Sequence, residues 1–163
     1  MKILIKLIIF LILVPSKSFG LIEVDITRGN LNPLPIAVSP LSIDENSRQN
    51  FEKILKKKNI GDEISKIIEV NLKTSGLFNP LNKDAFLQAP DIANLKPRFE
   101  DWNLIKAQAL ITGKVSYIDD KLRVEFRLWD VLAGKEMVAL AFTTVPTNWR
   151  RVGHIITDKV YQR

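Results

Sequence analysis

The feature that most constrains this chain is an eleven-residue alternation from Lys121 to Val131. Leu122, Val124, Phe126 and Leu128 fall on one face; Arg123, Glu125, Arg127 and Trp129 fall on the other. A period of two with one apolar face is a strand buried on one side and wet on the other. Its flanks repeat the theme. Ala109–Ile118 sets Ala109, Ile111, Val115 and Tyr117 on one face, Asp119-Asp120 reads as a tight turn, and Ala133-Gly134-Lys135 turns the chain into a return strand over 136–145. Together they predict a three-stranded antiparallel meander with one buried face. Such a sheet needs a second layer.

Two helices can supply that layer. Asp62–Ser75 carries an apolar stripe of Ile64, Ile67, Ile68 and Leu72. Asp62 is read as its cap, Glu63 favours the positive end of its dipole, and Gly76 stands where a left-handed C-terminal residue is needed. Near the end, Thr147 is read as the cap of a helix striped by Val152, Ile155, Ile156 and Val160. Earlier strand candidates are Ile22–Ile26, Leu34–Leu41 and Leu77–Leu81, the second carrying Pro35 and Pro40 towards its ends. A short helix fits the spacing of Phe51, Ile54 and Leu55, and another fits Trp102–Lys106, with residues 82–98 a long connection. The expected fold is α/β: a two-layer sandwich of two main helices packed on a five-stranded mixed sheet. The final helix reaches Arg163 with no terminating Gly or Pro, which suggests further sequence beyond it.

Residues 1–20 stand apart. Two early lysines, the unbroken apolar run Leu7–Val14, the breaker Pro15 and the small residues Ser18 and Gly20 have the layout of a cleavable secretory signal peptide. As a helix Ile3–Val14 would rise only about 18 Å, short of a hydrocarbon core of roughly 30 Å. The domain plan is therefore a signal peptide over 1–20 and one α/β domain over 21–163, exported to the periplasm of a Gram-negative cell, without stable membrane insertion after cleavage. The net charge of +6 comes partly from that leader; without its three lysines the balance is 21 basic against 18 acidic residues. That is too mild to indicate nucleic acid.

The residues exclude much chemistry. There is no Cys and only one His, so disulfides, thiolate nucleophiles and multi-histidine metal sites are ruled out. No metal or cofactor is expected. His154 and Asp158 share a helix face, but no serine sits in a nucleophile elbow, so a hydrolase is the weaker reading. Asp119-Asp120 is turn chemistry. Ile111-Thr112-Gly113-Lys114 lacks the upstream glycine of a phosphate loop, and Gly113 is expected to let a helix approach the sheet. Lys56-Lys57-Lys58 reads as a solvated surface, and Trp149-Arg150-Arg151 as packing plus charge rather than a base-stacking site. No catalytic residue is assigned.

The start of the mature chain has more to offer. Once the leader is removed, Leu21, Ile22, Glu23, Val24, Asp25, Ile26, Thr27 and Arg28 form a terminal strand-forming segment able to pair with another protein's sheet edge. An ordinary edge strand of this domain is the competing reading.

Four segments carry a family resemblance. They are Ile22–Asn30 with Pro35-Ile36-Ala37-Val38; Asn71-Leu72-Lys73-Thr74-Ser75-Gly76-Leu77-Phe78-Asn79-Pro80; Ala109–Val115 with its hairpin; and Asn148-Trp149-Arg150-Arg151 with His154–Asp158 and Tyr161-Gln162-Arg163. In order and spacing they resemble the amino-terminal domain of TolB, the periplasmic component of the Tol–Pal system, across nearly all of 21–163. The resemblance implies an α/β unit similar in shape to anticodon-binding domains, with no RNA role. It implies a non-catalytic interaction domain serving outer-membrane integrity and constriction during cell division. It also implies a TolA contact at the mature amino terminus, which maps to Leu21 through about Asn32 here. In the family a six-bladed propeller follows and binds Pal; the sequence given stops at Arg163, which leaves Pal binding in doubt. A truncated or split-gene fragment without independent function is the alternative.

Overall fold

The computed structural model describes residues 32–163. The strands are β1 (Leu34–Val38), β2 (Ser42–Ile43), β3 (Phe78–Pro80), β4 (Ala109–Ile118), β5 (Lys121–Asp130) and β6 (Lys135–Thr144). The helices are α1 (Glu45–Leu55), α2 (Ile60–Thr74), α3 (Pro90–Leu95), α4 (Phe99–Leu104) and α5 (Trp149–Tyr161), with single 3-10 turns at Lys83–Ala85 and Pro146–Asn148. The sheet runs β3-β1-β4-β5-β6, the five-stranded mixed sheet expected, and β2 adds a sixth short strand beside β4. β1 is parallel to both β3 and β4, while β4, β5 and β6 form the antiparallel meander. The strand expected over Leu34–Leu41 ends at Val38; Ser39, Pro40 and Leu41 link it to β2, which lies beyond the expected range. The candidate strand Ile22–Ile26 lies outside the described residues.

The helix stripes close one core. Ile60, Ile64, Ile68 and Leu72 recur every four residues along α2 and are all fully buried. They meet Val152, Ile156 and Val160 of α5 and the even-numbered apolar row of β5. The two helices lie close because Gly153 has no side chain: a Cβ there would sit 2.9 Å from Cγ2 of Ile67. Two caps differ from expectation. Asn59, not Asp62, precedes α2, because burying Ile60 starts the helix one turn earlier and leaves Asp62 inside the first turn. Thr147 lies inside the 3-10 turn opened by Pro146, so Asn148 precedes α5.

Trp129 also departs from the expected pattern. Alternation put it on the wet face with Arg123, Glu125 and Arg127. It is instead buried in a second cluster with Ala37, Trp102, Ala107, Leu110 and Val131. The connection expected over 82–98 contains α3, and α4 follows it. Phe99 of α4 packs edge-on against Trp129, with ring centroids 5.7 Å apart, and Trp102 belongs to the same cluster. The indole Nε1 donates to Thr112 Oγ1 at 2.9 Å, so the buried polar atom is satisfied. The meander is thus covered on both faces at this end and wet on one face only around Arg123–Arg127.

α1 begins with a strong cap. The Ser47 backbone N–H donates to Asp44 Oδ1 at 2.8 Å, and Ser47 Oγ donates to Asp44 Oδ2 at 3.0 Å. Ser47 Oγ in turn accepts from Tyr117 N at 2.8 Å, which ties the helix start to the end of β4. The Ser47 N–H, as the largest influence, holds the Asp44 carboxyl below its usual range. Asp44→Ala is expected to cost about 1 kcal/mol in urea unfolding. A depressed folded value stabilises above the unfolded carboxyl range of about pH 4. The difference between wild type and variant is therefore full at neutral pH and shrinks as pH falls through the lower folded value.

Candidate functional site

The residues expected to bind a partner, Leu21 to Arg28, lie outside the described residues. The structure does describe the strand to which they lead. β1 is filled on both sides, by β3 and β4, and Leu34 N donates to Leu77 O at 2.9 Å. Beside its start lies an open apolar cleft of about 260 Å³, with Leu34, Phe78, Leu128, Leu132, Met137 and Val160 in its lining. It offers surface mainly for apolar side chains, with Gln108, Asp130 and Arg163 as the polar residues of its lining.

His154 does not form a catalytic pair with Asp158. Its Nδ1 lies 2.8 Å from Asn71 Nδ2, which makes Nδ1 the acceptor. The same amide donates to Thr157 Oγ1 at 3.4 Å, Thr157 Oγ1 donates to Gly153 O at 2.9 Å, and the Tyr161 hydroxyl donates to Asn71 O at 2.8 Å. This is a polar seam joining α2 to α5, and the ring's role is to close it.

The other candidates resolve in the same way. Asp119 and Asp120 take φ of 49° and 59°, the left-handed pair of a two-residue hairpin turn. The Tyr117 hydroxyl donates to Asp120 Oδ1 at 2.8 Å, and that bond is the largest influence raising the phenol's pKa. Trp149 is 4% exposed; Arg150 lies 4.2 Å and Lys57 5.3 Å from the ring centroid. A buried, cation-flanked ring is not a platform for a nucleobase. Of the lysine run, Lys56 ends α1 at φ 57°, Lys57 pairs with Glu63 at 2.9 Å and Lys58 with Glu52 at 3.5 Å. Gly113 admits no helix: its missing side chain makes room for the Glu125 carbonyl of β5 and for Leu41 from the β1–β2 link. Among the described residues no cluster of three or more His, Asp or Glu is placed to hold a metal ion. Nor is any helix long and apolar enough to cross a membrane.

Two surfaces escaped the sequence reading. The apolar cleft is assembled from five strands, the loops beside them and the last helix, so no local pattern announces it. The outer edge of β6 was invisible because alternation shows that a segment is a strand but not whether it ends the sheet.

Comparison with known proteins gives one consistent picture. Residues 22–137 match the TolB amino-terminal domain family. The chain is 76% identical over 157 residues to the Tol-Pal system protein TolB of Pelagibacter ubique strain HTCC1062. That alignment takes in 96% of this chain but 35% of the relative, so the chain spans about a third of the relative's length. The crystal structure of TolB from Acinetobacter baumannii superposes with a TM-score of 0.61 at 21% identity, over 80% of this chain and 28% of that one. At that identity the likeness speaks for the fold.

Proposed function

The chain belongs to the TolB amino-terminal domain family, and from that premise we propose that it is a non-catalytic protein–protein interaction domain of the Tol–Pal envelope system. It acts in the periplasm after its leader is removed, and its mature amino-terminal segment, Leu21–Arg28, contacts TolA. The observation that carries this reading is the family match together with the alternation Ile22-Glu23-Val24-Asp25-Ile26 directly after the leader pattern. An alternating segment can add itself as a strand to an exposed sheet edge, with main-chain hydrogen bonds giving affinity and every second side chain giving specificity. Its tether supports this use, because β1 already has a neighbour on each side. Contact of this kind, made and released, would link the inner membrane to the outer envelope during constriction. Pal is left to the propeller of longer family members.

The test is a titration of the TolA carboxy-terminal domain with the mature chain and with a chain lacking residues 21–32. Removal is expected to weaken binding by roughly a hundredfold, the equivalent of about 3 kcal/mol. Equal affinity for the two forms removes the proposal.

A second reading is favoured by the chain's spanning 35% of its Pelagibacter relative. On that reading the domain is a piece of a longer or split protein without independent function. Propeller blades encoded directly after Arg163 would carry it.

A further inference from the structure

β6 is the outermost strand of the sheet, opposite β3, and β5 is its only strand neighbour among the described residues. Among the described residues no strand pairs with its outer row of backbone N–H and C=O groups. Proteins usually blunt an edge of this kind with charge, proline or a bulge. Here those devices stand only at the start of the strand: Lys135, Glu136 and the bulge at Met137, where Trp129 faces Glu136 and Leu128 faces Val138. Val138–Phe142 has none of them.

Those five residues read Val-Ala-Leu-Ala-Phe, symmetric in kind about Leu140. Val138, Leu140 and Phe142 face the helix layer; Leu140 is nevertheless 41% exposed, and Phe142 is half-buried on the ring of Phe126, 6.1 Å away. Ala139 and Ala141, small and exposed, line the opposite face. A two-fold interface must be complementary to itself. An antiparallel pairing centred on Leu140 meets that condition. It sets Leu140 against Leu140 of a second copy, Val138 against Phe142 and Ala139 against Ala141, and no two like charges face each other. The apolar row left open beside Phe126 is then closed by its own counterpart.

We propose that the outer edge of β6 is a self-association surface, on which two copies of this chain pair antiparallel about Leu140 to make one continuous sheet. It does not depend on the TolA contact, since it uses none of residues 21–32.

Sedimentation of the purified chain across a concentration series should show the mass double. Leu140→Lys places like charges at the two-fold axis and should weaken association by about tenfold or more, with the far-UV circular dichroism unchanged. Because the chain has no Cys, Leu140→Cys supplies a single thiol on that axis, at a separation that suits a disulfide. Mild oxidation should then give a covalent dimer. Leu77→Cys, 52% exposed beside the opposite edge strand, should not. A monomer at every concentration without cross-linking at 140 overturns the proposal, and so does equal cross-linking at 77. Capture of an added extended peptide by a chain that stays monomeric, lost in Leu140→Lys, would assign the edge to a different partner and overturn it as well.

Discussion

Replacing Gly113 with valine is expected to destabilise the domain by about 3 kcal/mol or more, a large share of what holds a domain of this size together. Gly113 lies mid-strand in β4, opposite Phe126 of β5. A Cβ added to it would run into the carbonyl oxygen of Glu125, come within 2.8 Å of Leu41 Cδ2 and within 3.2 Å of Phe126 Cα. Two of those three atoms are backbone of the central ladder and cannot turn aside. The third belongs to the buried Leu41, whose own N–H is held by Ser65 Oγ at 3.0 Å. Relief therefore requires opening the β4–β5 pairing or expelling the link that anchors α2 to the sheet. Gly76 is the contrast: it takes φ of +73°, and a Cβ added there would meet no atom within 4 Å, so Gly76→Ala carries only the left-handed backbone penalty of about 1–2 kcal/mol. Urea midpoints of the two variants give the comparison. A Gly113→Val protein as stable as wild type would mean that Leu41 and β5 shift far more freely than this packing allows.

The same residues show how far the sequence could be read. The meander was legible because alternation is local: β4, β5 and β6 follow the expected segments within a residue or so, and Asp119-Asp120 makes the expected turn. α2 was legible from its four-residue spacing. What failed was non-local. Trp129 continues the polar row of β5 in sequence, but it leaves that row in space because α4 covers that end of the sheet; a short helix was expected over Trp102–Lys106, yet nothing local shows that it packs on β5. The glycine requirement at 113 was legible and its reason was not; the intruder is Leu41, seventy-two residues earlier, rather than a helix. Both misread caps share one cause. Asp62 and Thr147 have the right side chains, yet burial of Ile60 and the turn set by Pro146 fix where the helices begin. The proposed partner segment is the extreme case. Its alternation marks a strand former, but the strand it would join belongs to another molecule, so only the family resemblance could name that molecule.

Proline substitutions in that segment should separate binding from folding. In an added strand successive N–H groups point to opposite sides, so of Val24 and Asp25 only one presents its N–H to the partner. Proline at that position removes a ladder hydrogen bond and crowds the partner's backbone; at the other it fixes φ and little else. At least one of Val24→Pro and Asp25→Pro is therefore expected to lose roughly a hundredfold in affinity for the TolA carboxy-terminal domain, with a clearly smaller loss for the other. Ile26→Pro should follow Val24→Pro, since residues two apart share an orientation. The urea midpoint should stay within about 0.5 kcal/mol of wild type in all three, as for substitutions that remove no buried contact. A linear epitope read through its acids would behave differently: Glu23→Ala and Asp25→Ala would carry the loss, and the proline variants would not split by position. If a proline variant instead unfolds the domain, the segment is a strand of this fold rather than a free arm. Contact with another protein would then have to be made by a surface already inside residues 32–163.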